Sequence, residues 1–389
     1  MDKLYAQFHK FLKETNSEFY RYIYTDVNWK NRMIGITGPR GVGKTTLVLQ
    51  YIKKNLNPSE ALFVIAEDFY FADNRLIDLA NSFVNQGGKY LFIDEIHKYK
   101  DWSKELKLIH DYNPELNIVF TGSSILDIKK GASDLSRRAV MYQMQGLSFR
   151  EYLHLFHNIS SKTFSLNEIL EHKVEIPELS HPLKYFYDYL KKGYYPFAID
   201  EDYEPRLQQI INQTLETDIP LFANINTSTG RKLKQLLAII AKSAPFKPNM
   251  AKIASILSVS RNNIADYCLY IEEAGMIAQL RNATGGIRGL GKVEKIYLDN
   301  PNLIYSLAQD SPEKGNIRES FFFNQTRTKY DVTASPIADF MIDNYTFEVG
   351  GKNKGLKQIQ DADNGFIVKD DIEYGHHNVV PLWHFGLTY

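Results

Sequence analysis

The chain is almost without cysteine. Its 389 residues hold one, Cys268, set among apolar residues in a helical pattern. A lone cysteine excludes an intramolecular disulfide framework and a thiolate-built zinc site, and it fits a reducing compartment. Net charge is missing too, because 46 basic residues balance 46 acidic ones. Contact with a nucleic acid would therefore have to come from a local basic patch. No run of about 18 apolar residues exists, and the opening Met1-Asp2-Lys3 is mixed and polar, so neither a membrane span nor a secretory signal is expected. These absences predict a cytoplasmic protein with no membrane partner. The length exceeds what one hydrophobic core usually holds, which predicts two or three domains. Aromatic residues are plentiful, with 25 tyrosines and 23 phenylalanines. Most recur at helical or strand spacing, so they read as core and not as a stacking platform.

One segment carries chemistry outright. Met33-Ile34-Gly35-Ile36-Thr37 is an apolar strand that runs into Gly38-Pro39-Arg40-Gly41-Val42-Gly43-Lys44-Thr45-Thr46 and then an apolar helix. That is G-x-x-x-x-G-K-T in the strand-loop-helix context a phosphate loop requires. The glycines let backbone N–H groups turn inward around phosphate oxygens, and the helix points its positive end at them. Lys44 is expected to reach the β- and γ-phosphates and Thr45 to ligate Mg²⁺.

Strand-like runs at Met33–Thr37, Ala61–Ala66, Tyr90–Asp94 and Asn117–Thr121 alternate with helical patterns near Lys44–Asn55, Asn74–Asn85 and Trp102–Tyr112. This is the rhythm of a parallel α/β sheet. The third strand ends in Asp94-Glu95, four apolar residues followed by two carboxylates. Asp94 is expected in the Mg²⁺ shell, and Glu95 is expected to orient and deprotonate the attacking water. The fourth strand ends Thr121-Gly122-Ser123-Ser124, placing a hydroxyl at the ligand-binding edge of the sheet, where Thr121 can sense the γ-phosphate. Arg137 and Arg138 follow, just before another apolar run, and Arg138 is the candidate arginine finger across a subunit boundary. A surface ion pair is the alternative for these arginines.

These segments, with Ile96-His97-Lys98 and Gly146-Leu147-Ser148-Phe149-Arg150-Glu151-Tyr152, resemble the AAA-type ATPases of bacteria and archaea whose C-terminal half carries an uncharacterised domain. Gly193-Tyr194-Tyr195-Pro196-Phe197 is similar to that family's Gly-Gly-Tyr/Phe-Pro element. The resemblance covers nearly the whole chain. It implies an AAA+-like ATPase core with ATP and Mg²⁺ as cofactors, a helical segment, a winged helix and a restriction-endonuclease-like domain. It makes Thr121 the sensor threonine and Arg138 the arginine of a Gly-Arg pair, whose glycine is replaced here by Arg137.

Beyond Leu147 the pattern turns helical at Ser148–His157, Leu183–Lys192, Glu204–Thr217 and Arg231–Ser243, while the polar stretch from Ile159 to Ser180 reads as a surface insertion. Ala251–Leu257, a tight turn and Arg261–Ala274 form a helix-turn-helix pattern. Met276–Arg281, a glycine-rich stretch and Glu294–Leu298 then complete a winged-helix pattern. In a DNA-binding reading Ser260, Arg261, Asn262 and Asn263 face base edges, and Arg281, Arg288 and Lys292 face phosphate. Packing or protein contact is the alternative, and acidic Asp266, Glu272 and Glu273 weigh toward it.

The last ninety residues carry Glu319, Asp339 and Glu348, the order of acids in a metal-dependent nuclease. The lysine expected two residues after Glu348 is replaced by Gly350, and the first lysine is Lys352, so the site reads as degenerate. His376 and His377 read as a surface pair. The expected fold class is α/β: a P-loop NTPase domain with a parallel sheet at 1–146, a helical lid or linker at 147–245, a winged helix at 246–300, and a small α/β nuclease-like domain at 301–389. Two outputs stay open. One is DNA handling, with double-stranded DNA as partner. The other is a nucleotide-controlled switch that grips a protein partner. Either is expected in a homo-oligomer with the arginine finger in trans.

Overall fold

The computed structural model describes residues 1–122, 135–223, 225–243, 245, 247–283, 291–308, 312–355, 359–360 and 362–389. The chain divides into two compact units, Met1–Gln145 and Gly146–Tyr389. Each has its own hydrophobic core.

The first unit is built on five parallel strands: β1 (Met33–Thr37), β2 (Ala61–Ile65), β3 (Tyr90–Asp94), β4 (Asn117–Gly122) and β5 (Val140–Gln143), in the order β2-β3-β4-β1-β5. All five residues of β1 are buried, as expected of a central parallel strand covered on both faces. The helices Lys44–Asn55, Leu76–Asn85 and Trp102–Tyr112 form the crossovers. The helix Asp2–Glu14 buries Leu4, Phe8 and Leu12, spaced one turn apart on a single face.

The second unit contains the helices Phe149–His157, Leu166–Leu170, Pro182–Lys192, Tyr203–Gln213 and Thr227–Ser243. The stretch from Ile159 to Ser180 is not a surface insertion. Ile159, Phe164, Leu166, Ile169 and Leu170 are buried in the unit's core. The short helix there begins with a reciprocal capping box in which Ser165 accepts from the Glu168 backbone N–H and Glu168 accepts from that of Ser165. Met250–Leu257 and Arg261–Glu273 pack as a helix pair, followed by the antiparallel strands β6 (Ile277–Arg281) and β7 (Val293–Leu298). The residues numbered 284–290 in the glycine-rich stretch, Arg288 among them, lie outside the described residues, as do Ser123 and Ser124.

A second sheet has the order β12-β11-β10-β9-β8, with β8 (Val332–Ala334), β9 (Phe340–Ile342), β10 (Tyr345–Gly350), β11 (Gly365–Lys369) and β12 (Val379–Pro381). Strands β10, β11 and β12 are parallel, and β9 runs antiparallel to both β8 and β10. The helix Lys314–Thr326 packs on β10. The largest buried side chains include Tyr189, Tyr194, Tyr195, Tyr297 and Phe321, so much of the aromatic surplus is core. Cys268 is buried as well, and burial pushes its thiol up to about 12. No described helix is long and apolar enough to cross a membrane.

Candidate functional site

Strand order brings the site together. Because β4 lies between β1 and β3, and all three run parallel, Thr121 stands at one edge with the loop after β1 on one side and Asp94 on the other. Carboxyl ends of parallel strands are where open α/β sheets gather ligands. The loop's first glycine is required by space, since a Cβ on Gly38 would lie 2.1 Å from the Met144 carbonyl oxygen. Its last is required by conformation, since Gly43 caps the helix Lys44–Asn55 at φ 98°, a region that side chains disfavour.

Lys44 is buried, and its Nζ donates to the carbonyls of Gly38 at 2.9 Å and Pro39 at 2.8 Å. Pro39 and Val42 are buried, whereas Gly41 and Thr46 are exposed. Arg21, a residue no motif marks, braces the loop from behind. Its guanidinium donates to the Val42 carbonyl at 2.5 Å and to the Gln145 carbonyl at 2.7 Å.

Asp94 is the hub of the acidic side. The Thr45 hydroxyl donates to its Oδ2 at 2.7 Å, and the Thr121 hydroxyl donates to its Oδ1. Burial pushes the Asp94 carboxyl above its usual range, against the downward pull of the two hydroxyls and the Lys44 charge. Glu95 takes the left-handed conformation at φ 52°, and its backbone N–H donates to the Thr121 hydroxyl at 3.2 Å. Its carboxylate lies 3.3 Å from His97 Nε2 and 3.9 Å from an Arg40 guanidinium nitrogen.

A hydroxyl beside a carboxylate matches the hard oxygen donors that magnesium takes, usually with phosphate and water completing the shell. Thr45 and Asp94 therefore fit that ion. Among the described residues, no group of three or more His, Cys, Asp or Glu side chains is placed to hold a metal by itself.

Arg138 does not join this edge. It precedes the amino end of β5, whose Val140 pairs at the level of Ile34, so it faces the opposite side of the sheet. There it forms a two-point ion pair with Asp111, Nε to Oδ1 and Nη2 to Oδ2, both at 2.8 Å. The amino and carboxyl ends of these strands are about a strand length apart, roughly 17 Å, with Arg138 at the one and Thr121 and Asp94 at the other.

Residues 30–153 match the sequence pattern of a family described as an AAA domain. The first unit is thus similar to AAA-family ATPase domains. Residues 183–314 match a second pattern, described as a domain of unknown function. An uncharacterized protein of Methanocaldococcus jannaschii is 25% identical over 276 residues, covering 65% of this chain and 57% of the relative, so the chain spans little more than half of that relative's length. Another uncharacterized protein of the same organism is 27% identical over an alignment of 418 positions, covering 92% of this chain and 89% of the relative. Among solved structures, a Walker-type ATPase of Pyrococcus abyssi is similar at a TM-score of 0.40 and 12% identity, covering 72% of this chain and 91% of that one. AMPPCP-bound DnaA from Aquifex aeolicus is similar at 0.25 and 12% identity, covering 68% and 86%. Scores this low carry no functional argument.

In the second unit, Glu319, Asp339 and Glu348 are drawn toward lysines. Lys295, from β7, lies 3.1 Å from Glu319 and 2.9 Å from Asp339, and the Tyr297 hydroxyl donates to Glu319 at 2.8 Å. Glu348 is paired by Lys354. Lys352, the lysine expected from sequence, is not its partner. The chain turns after Gly350-Gly351, with the Lys354 N–H donating to the Gly351 carbonyl at 2.9 Å, and the lysine two residues further on folds back. Two ammonium groups thus stand among the three carboxylates, and among the described residues no group of three or more His, Cys, Asp or Glu side chains is placed to hold a metal here. His376 and His377 are exposed.

On the helix Arg261–Glu273, Ser260 caps the start by accepting from the Asn263 N–H, and Ser260, Arg261, Asn262 and Asn263 are all exposed. Arg281 is committed elsewhere, its guanidinium meeting both oxygens of Glu272 at 3.2 and 2.7 Å. Lys247 and Lys292 lie 2.9 and 3.8 Å from Glu294.

Proposed function

We propose that the protein is a magnesium-dependent ATPase whose nucleotide state controls assembly or the grip of its second unit on a protein partner. The observation that carries the ATPase reading is the Asp94 carboxylate, held by Thr45 on one oxygen and Thr121 on the other, beside the loop that seats Lys44. In this reading Lys44 binds the β- and γ-phosphates, Thr45 and Asp94 hold Mg²⁺, Thr121 senses the γ-phosphate, and Glu95 takes the proton of the attacking water. Magnesium supplies positive charge against the phosphate oxygens. ATP is favoured over GTP because the chain has no guanine-reading Asn-Lys-x-Asp sequence.

In this reading Arg138, once released from Asp111, acts on a neighbour's phosphates, so the active species is an oligomer, and the setting is cytoplasmic. The lysine-filled carboxylates support a second unit that does not cleave DNA, and the Arg281–Glu272 pair supports protein contact over phosphate contact. In this reading 147–245 is a helical lid or linker, 246–300 a winged helix and 301–389 a degenerate nuclease-like domain. The exposed Ser260, Arg261, Asn262 and Asn263 favour a second reading, DNA handling through that helix.

ATP hydrolysis by wild type and Glu95→Gln, with and without double-stranded DNA, separates the readings when run beside size-exclusion light scattering. Glu95-dependent hydrolysis indifferent to DNA, with an ATP-driven change of assembly, is the expected result. Hydrolysis accelerated by DNA would favour the second reading. Hydrolysis equal in wild type and Glu95→Gln would refute the site.

A further inference from the structure

A histidine outside the phosphate loop stands against the candidate base. His97 lies three residues after Asp94, in the short 3-10 turn Ile96–Lys98 under the end of β3. Its side chain is 0% exposed, and its Nε2 is 3.3 Å from Glu95 Oε2. Glu95 itself sits in a left-handed backbone conformation, which aims its side chain away from the course β3 would otherwise give it.

We propose that His97 is a positioning residue for Glu95, its Nε2–H directing the carboxylate toward the attacking water. This rests on the ATPase reading above. A carboxylate only accepts hydrogen bonds, so a productive contact fixes the hydrogen on Nε2. Burial holds the imidazole down at about 4, which leaves the ring neutral near pH 7 and able to orient Glu95 without quenching its charge. The 3.3 Å separation is slightly long, as bonds around a catalytic base commonly are before the reacting complex forms. In the reaction, a water oxygen bonds to the γ-phosphorus, the bond from that phosphorus to the oxygen of the ADP leaving group breaks, and Glu95 accepts the water proton. His97 takes no proton.

Arg40 reaches the same carboxylate oxygen from 3.9 Å. That distance is beyond a hydrogen bond, so Arg40 contributes charge where His97 contributes direction. A buried imidazole that merely filled space under β3 would be replaceable by an apolar side chain of similar size.

The test is steady-state ATP hydrolysis by wild type, His97→Leu, His97→Gln and Glu95→Gln, with nucleotide affinity measured by calorimetry using ATPγS. His97→Leu should lower kcat about 10- to 100-fold while KM and ATPγS affinity stay within about twofold. His97→Gln, whose amide nitrogen can stand near the position of Nε2, should recover most of the rate. Adding His97→Leu to Glu95→Gln should cost nothing further, because residues acting as a unit are not additive.

If His97→Leu keeps wild-type kcat while Glu95→Gln is inactive, the positioning role is overturned and the ATPase reading stands. If wild type does not exceed Glu95→Gln, both fall together. Should His97→Leu not fold, His97→Gln against His97→Asn decides. The shorter amide cannot reach Glu95, so equal rates for the two would overturn the proposal and a glutamine advantage supports it.

Discussion

Replacing Lys295 by methionine keeps the unbranched stem of the side chain, one atom shorter, and removes the charge that Glu319 and Asp339 share. The ammonium lies 3.1 and 2.9 Å from the two carboxylates, whose side chains are 16% and 14% exposed, whereas the lysine is 33% exposed. Breaking a fully buried pair costs about 3–5 kcal/mol. Partial exposure of the lysine brings solvent screening, which lowers the expected loss to about 2–3 kcal/mol near pH 8. For a unit of this size that is a fall of roughly 5–10 °C in Tm.

The loss should depend on pH, and its sign follows from Glu319. Burial, followed by the neighbouring Asp339, pushes its carboxyl above the usual range, with Lys295 pulling the other way. A carboxyl raised in the folded state binds more protons folded than unfolded. The stability it brings is present below its unfolded value of about 4.3 and is lost as pH rises through the folded value. Removing Lys295 raises the folded value further, so Lys295→Met should be close to wild type near pH 4 and fall behind as pH rises to 8. Urea unfolding monitored by circular dichroism at both pH values reads this directly. Adding Glu319→Gln to Lys295→Met should restore about half of the loss at pH 8. An equal deficit at both pH values, or none, would refute the neutralised-cluster argument.

Three further expectations concern the first unit. Arg138→Ala should lower hydrolysis by about 10³-fold with nucleotide affinity unchanged, and the wild-type rate per subunit should rise with protein concentration; a concentration-independent rate would show that no neighbour supplies the arginine. Arg138, with help from His110, holds the Asp111 carboxyl down at about 2, and Asp111→Asn, which frees the arginine, should shift the concentration dependence without creating a pH dependence. Arg21→Ala strips donors from the Val42 and Gln145 carbonyls, which should cost about 1–3 kcal/mol and weaken binding of a fluorescent ATP analogue; unchanged affinity would show that the loop keeps its shape without this brace.

The parallel sheet was legible because its strands are short, apolar and punctuated by loops of fixed chemistry. Met33–Thr37, Tyr90–Asp94 and Trp102–Tyr112 fall where spacing places them. The neighbourhood of Lys44, Asp94 and Thr121 follows once those strands are parallel. The packed stretch after Ile159 was misread although Ser165 and Glu168 carry a capping signature, because its apolar residues are too few to show a period. Lys295 and Lys354 were unreadable for another reason. Lys295 on β7 meets Glu319 on the helix Lys314–Thr326 and Asp339 just before β9, and pairs between elements so far apart in the chain leave no local signal, while the glycine pair that turns the chain toward Lys354 looks in sequence like a simple break. Arg21 has no motif spacing of its own, and His97, although it follows Asp94-Glu95 in the segment that carries the resemblance, shows its 3.3 Å approach to the Glu95 carboxylate only in the folded chain.

The two carbonyls that hold Lys44 change how nucleotide affinity should be understood. Gly38 and Pro39 already offer the ammonium oxygen acceptors within the loop, so in the proposed ATPase an arriving phosphate competes with the protein's own backbone. The gain on binding is then the difference between two sets of oxygen contacts and is smaller than the full attraction of lysine for phosphate. When product leaves, the ammonium has acceptors to return to, and the loop does not have to collapse around an unsolvated charge. Such internal exchange would favour moderate affinity with rapid turnover of ligand.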